Sequence, residues 1–181
     1  LNGKVYMGSH SAAGEVSNLV TELGSMEGDD FRFDVIGKVA ESPVWAGKAS
    51  ASGLIAAYAA EKQLPAHGPQ PTGEEIFAAY AAGEPEACRA LKKFARRVAL
   101  GIIGLQSVLD VERVAIGGGI SKQPLLLDSL RRVYAGLFAS RGDSPYMIGL
   151  PRTEIVPCHF SSEANQVGAL YACLHTVGRM D

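Results

Sequence analysis

The segment Val114-Ala115-Ile116-Gly117-Gly118-Gly119-Ile120-Ser121 constrains this chain more than any other. A short apolar strand enters three consecutive glycines, and a stretch carrying Leu126, Leu130, Val133 and Leu137 at helical spacing follows. Glycines at a strand-to-helix turn allow positive φ and leave room where a Cβ would stand, so a ligand can approach the backbone. The helix behind them is expected to point its unpaired N–H groups and positive dipole end into the same space. Two readings of these residues stay open. The run is either a tight turn that lets a helix pack closely on a strand, or one wall of a nucleotide site. It lacks the spacing of the dinucleotide fingerprint, and the absence of G-x-x-x-x-G-K-[ST] excludes a phosphate-loop mechanism.

The surrounding pattern is α/β. Asn2-Gly3 is a hairpin signal, and Lys4 to Met7 reads as the strand after it, so the chain looks like the C-terminal portion of something longer. Phe31, Phe33 and Val35 alternate with Arg32 and Asp34 as a half-covered strand does. Residues 50–61 and 74–81 read as helices, separated by a proline-rich loop over 64–72 and ended by Gly83. Ala87, Leu91, Phe94, Val98, Ile102, Leu105 and Leu109 form one stripe along a long helix closed by Asp110. Lys92, Lys93, Arg96 and Arg97 lie off that stripe and read as a solvated face. Ser121 is a candidate N-cap for the helix after the glycines, with Pro124 in its first turn. Thr153 to Pro157 reads as a strand, and Ser161 or Ser162 is a candidate cap for a last helix carrying Val167, Leu170 and Leu174. The C-terminal half is thus helix, strand, helix, strand, helix, with helices covering a sheet.

With 181 residues, 47% apolar and 20% charged, the chain can bury one full core. A formal net charge of −2 gives no footprint for nucleic acid or an anionic membrane, and no apolar run approaches a membrane span. Cys88, Cys158 and Cys173 are widely spaced in apolar contexts and read as buried thiols, which suits a cytoplasmic protein. His10, His67, His159 and His175 form no metal-ligand spacing with cysteines, so zinc is not expected. Glu15, closing the small-residue loop Gly8 to Gly14, looks like a partly buried acid. Its carboxylate could accept hydrogen bonds from vicinal sugar hydroxyls, or could simply sit at a helix N-terminus.

The order of these motifs resembles the ROK family (repressors, open reading frames and sugar kinases). The resemblance rests on Gly8-Ser-His-Ser-Ala-Ala-Gly14-Glu15, Ala49-Ser50, the run from Val114 to Ser121, and Gln166-Val167-Gly168-Ala169. It implies an actin- or hexokinase-like ATPase fold of two ribonuclease-H-like domains, of which residues 1–181 look like the C-terminal one, the N-terminal domain lying outside this chain. It implies an ATP-dependent sugar kinase, with Gly117, Gly118, Gly119 and Ile120 on the adenosine and Glu15 on the sugar. Ser17 and Asn18 fall where the family carries a glycine and a sugar-contacting histidine, so Asn18 becomes a candidate sugar contact. Ala46 stands where a further sugar-contacting glutamate is common, and residues 34–44 lack the cysteines of the family's zinc site, so no metal ligands are expected on this chain.

No catalytic residue is expected here either. The family's D-x-G-G-T phosphate site, its catalytic aspartate and its second phosphate loop precede the hairpin, so this stretch alone is expected to be inactive. In the intact protein the resemblance implies ATP and Mg²⁺ as cofactors, a sugar substrate, a homodimer and a cytoplasmic location. A sugar-sensing transcriptional repressor is the alternative, with DNA as a partner if a helix-turn-helix precedes this domain.

Overall fold

The fold is taken from a computed structural model, which describes residues 5–20, 44–65, 67–139 and 149–176. Six α-helices and two strands make up these residues, in the order α1 (Trp45–Lys48), α2 (Ala51–Glu61), α3 (Gly73–Ala81), α4 (Pro85–Leu109), β1 (Arg113–Ile116), α5 (Pro124–Ala139), β2 (Glu154–Pro157) and α6 (Ala164–Thr176). β1 and β2 pair in parallel, Val114 opposite Ile155 and Ile116 opposite Pro157. Parallel neighbours require a crossover, and α5 lies on it.

Local chemistry sets the helix ends. The Ser50 hydroxyl accepts from Gly53 N–H at 3.2 Å to start α2. Thr72 and Glu75 form a capping box that starts α3. The stop after α3 is a Schellman turn: Gly83 N–H donates to Tyr80 O and Glu84 N–H to Ala79 O, both at 3.0 Å. Gly83 holds φ +79°, which a side chain would resist. Pro85 then occupies the first turn of α4, where its missing N–H costs nothing.

α4 is the spine. Its expected stripe is buried from Ala87 through Leu91, Phe94, Val98 and Ile102. Leu54 of α2, Ile76 of α3, and Leu126 and Leu130 of α5 close on it as the fully buried centre. The stripe departs from expectation at its end. Leu109 is exposed, and Gln106 is buried instead. Gln106 accepts from the Thr153 hydroxyl and donates to Asp110 Oδ1 at 2.9 Å, so a satisfied polar group ties the end of α4 to β2.

Three expectations are corrected. Val5, Tyr6 and Met7 are not a strand; they are exposed and have no pairing partner among the described residues, while Asn2, Gly3 and Lys4 lie outside them. The last helix, α6, packs chiefly on the 3-10 turn Ser161–Glu163 and leaves Leu170 60% exposed and Val167 36% exposed. The cysteines are not buried thiols: Cys88 and Cys158 are half-buried and Cys173 is exposed. Glu15 is exposed as well, because no described element packs over the turn it ends. The strand read over Phe31 to Val35 lies outside the described residues.

Candidate functional site

β1 ends at Ile116, whose carbonyl accepts from Cys158 N–H at 2.9 Å, the last rung that holds β2 alongside. The three glycines then divide their work. Gly117 faces the chain after β2, where an added Cβ would lie 3.4 Å from Ser161 O and 3.5 Å from Cys158 Cβ, ordinary contact. Gly118 takes φ +86° and ψ 173°, a conformation open essentially to glycine alone. Its N–H donates to Ser161 O at 3.1 Å, which pins the turn to the start of the last helical segment. Gly119 has no atom within 4 Å of an ideal Cβ and faces open space.

The helix expected directly behind the glycines is set back. A 3-10 turn, Gly119–Lys122, intervenes, and α5 begins at Pro124. Ser121 is therefore not the N-cap of α5. It sits inside the 3-10 turn, buried, with its hydroxyl donating to Gly118 O at 2.7 Å. Glycine and proline at the two ends of this segment favour a short tight turn over an early α-helical start. The Gly119 and Ile120 N–H groups have no partner among the described residues, so two donors stand at a surface formed by exposed Gly119 and half-buried Ile120. Such a surface can receive an electron-rich ligand edge or an anion.

The second predicted element is the loop before Glu15. Gly8 and Gly14 have φ +69° and +87°, and Ala13 N–H reaches back to Met7 O at 3.1 Å. Glu15 leads into a 3-10 turn, Val16–Asn18, and its carboxylate accepts from the Ser17 hydroxyl. Asn18 lies in that turn and is exposed. Trp45 N–H donates to Leu19 O at 2.7 Å, and Val20 bridges Val44, so the segment is fastened to α1.

A cavity of about 310 Å³ touches both elements: Val16 forms one edge, and Ile116, Gly117 and Ile120 form another. Phe94, Val98 and Ile102 of α4 form its floor, with Trp45 beside them. Of the candidates named from sequence, Gly117 and Ile120 line this cavity. Glu15 adjoins it in sequence through Val16, and Asn18, Gly118 and Gly119 do not line it. Sequence reasoning passed over Trp45, the lone tryptophan. Its indole N–H donates to Arg97 O at 3.0 Å, and its ring occupies the place of a side chain at Gly101, where an ideal Cβ would come within 2.4 Å. A glycine at a buried stripe position of a long helix was the available signal.

No group of three or more His, Cys, Asp or Glu residues that could hold a metal is found among the described residues. Of the cysteine-free stretch 34–44, only Val44 is among them.

Comparison with known proteins places this geometry in a family. The sequence is 31% identical over 108 residues to a beta-glucoside kinase of Listeria innocua, an alignment covering 60% of this chain and 33% of that protein. A ROK family protein from Streptococcus pneumoniae, solved in complex with sucrose, superposes with a TM-score of 0.75 at 19% identity, covering 98% of this chain and 53% of that one. A ROK family glucokinase from Streptomyces griseus, solved with glucose and AMPPNP, gives a TM-score of 0.70 at 19% identity, covering 93% and 54%. The alignments thus span about a third to a half of these relatives' length. The ROK family model matches residues 1–175, and the chain belongs to the ROK family. Its fold is that of these ROK family structures.

Proposed function

We propose that this ROK-family chain is the C-terminal domain of an ATP-dependent sugar kinase, with residues 1–181 forming one domain. The observation that carries this reading is the glycine turn: its three glycines are exposed, and the Gly119 and Ile120 N–H groups have no partner among the described residues. Gly117, Gly118, Gly119 and Ile120 receive the adenosine part of ATP. Similarity to the beta-glucoside kinase of Listeria innocua, and the glucose and AMPPNP bound in the Streptomyces griseus glucokinase, support a nucleotide and a sugar as ligands.

Glu15 accepts hydrogen bonds from sugar hydroxyls, and the Ser17 hydroxyl holds that carboxylate in one orientation. Asn18, both donor and acceptor, contacts the same ring in this reading. ATP supplies the phosphoryl group. The base and the phosphate cradle, with Mg²⁺, belong to the other part of the family's cleft, so this chain's own work is binding and orientation. The reading includes a cytoplasmic, self-associating protein. No helix among the described residues is long and apolar enough to cross a membrane.

A coupled assay of the intact protein over a panel of hexoses and amino sugars tests it. Sugar-dependent ADP release supports the kinase. Sugar binding without turnover, together with sequence-specific DNA binding, supports the repressor reading that Asn18 and Ala46 favour. No nucleotide and no sugar binding overturns both.

A further inference from the structure

We propose that a cavity between α3, α4 and α5, remote from the glycine turn, binds a small phosphate-bearing ligand. The cavity measures about 610 Å³ and is lined by Tyr80 of α3, Lys92 and Arg96 of α4, Ser129 and Arg132 of α5, and Cys88 near the start of α4. That volume falls within the range of small-ligand sites and exceeds what a bare phosphate needs.

Charge decides the ligand class. Lys92, Arg96 and Arg132 converge on this space from two helices, and among the described residues no carboxylate lines it. None of the three forms an ion pair among the described residues. Their neighbours on α4 behave differently. Arg89 bonds Glu61 at 2.6 Å and Glu86 at 2.8 Å, and Lys93 also bonds Glu61. One face of α4 is therefore neutralised by acids, and the next is not. Three cations with no acid partner among the described residues repel one another around one concavity, and a multiply charged anion relieves that repulsion. Two guanidinium forks match the paired oxygens of a phosphate group, and an ammonium adds a point charge.

The remaining walls indicate a body attached to the phosphate. Val133 and Leu137 are apolar, while the hydroxyls of Tyr80 and Ser129 offer hydrogen bonds. Gly136 leaves a gap, with no atom within 4 Å of an ideal Cβ. A phosphorylated sugar or a nucleotide has this mixture of charge, hydroxyls and carbon surface. A net charge of −2 gives no extended basic track of the kind a nucleic-acid strand needs.

The position is separate from the glycine turn. The α5 residues that line the cavity run from Ser129 to Leu137, roughly 8 to 20 Å along the helix from Pro124 at 1.5 Å per residue. The proposal stands on this cavity and does not depend on the kinase reading.

Cys88 supplies the test, because it lines the cavity and is half-buried, whereas Cys158 and Cys173 lie elsewhere. The intact protein is alkylated with iodoacetamide, and each cysteine is followed by peptide mass spectrometry. Pyrophosphate and glucose 6-phosphate are titrated in, with glucose as the uncharged control. The expected result is saturable slowing of Cys88 alone by about five-fold or more as the site fills, weakened by added salt and absent with glucose. Lys92→Ala with Arg96→Ala abolishes the slowing, and Gly136→Leu, which fills the cavity without changing charge, abolishes it too. A Cys88 rate unchanged up to about 10 mM of either anion overturns the proposal, since weaker binding would leave the site empty. Equal slowing at all three cysteines, or protection that survives in the double variant, also overturns it.

Discussion

Gly118 and Gly119 are neighbours in the same turn, yet the structure asks different things of them. Gly118 holds φ +86°, so Gly118→Ala forces a strained backbone costing about 1–3 kcal/mol. Thermal denaturation is expected to show that loss directly. Gly119 has a negative φ and open space, so Gly119→Val is expected to leave stability near wild type. Thr153 illustrates a buried polar group at the same scale. Its hydroxyl joins Gln106 and approaches Val111 O at 3.1 Å, and its N–H donates to Tyr134 Oη at 3.1 Å. Thr153→Val keeps the shape but strips Gln106 of a donor, with an expected loss of about 1–3 kcal/mol in a denaturant titration. Sequence showed that the glycines were special, but not which of them is held by its backbone and which by its space. That distinction depends on Ser161, more than forty residues away, whose carbonyl fixes the Gly118 amide.

Helices were the most legible elements, because each carries its own signals. The capping box at Thr72, the stop at Gly83 and the stripe of α4 all follow from residues close in sequence. What a distant partner decides was not legible. Val167 and Leu170 have the spacing of a buried stripe, but the described residues offer nothing to cover them. The four basic residues of α4 looked like one solvated face; the structure splits them, Lys93 turning to Glu61 and Lys92 and Arg96 to a cavity. Gly101 is explained only by Trp45. Gly101→Ala drives a methyl into the indole ring, and overpacking of this kind is expected to cost about 1–3 kcal/mol.

Inter-helix ion pairs add an acid-sensitive component at this scale. Hydrogen bonds from Arg89 and Lys93 hold the Glu61 carboxyl below its ordinary 4.5, and those from Tyr58 and Lys62 do the same for Glu84. A carboxylate with a lowered folded-state pKa contributes fully above its unfolded value and loses that contribution as pH falls through the folded one. The melting temperature is expected to decline below pH 4.5, and less steeply in Glu61→Gln. High salt is expected to blunt the difference, since these pairs are at the surface.

At the scale of the whole molecule, one long helix, two parallel strands and a glycine turn bring residues about a hundred positions apart in the sequence to one apolar cavity. Val16 and Gly117 line it together, so the loop carrying Glu15 and the turn carrying Gly119 border a common space. The family was legible from motif order alone, whereas this shared border was not, because it is created by the packing of α1 against the segment 16–20. Calorimetric titration of the intact protein with a non-hydrolysable ATP analogue, wild type against Gly119→Val, tests the account most directly. A side chain in that open space should weaken binding about ten-fold or more, roughly 1.4 kcal/mol, at an unchanged melting temperature. Equal affinity in the two proteins would show that the nucleotide does not meet the glycine turn.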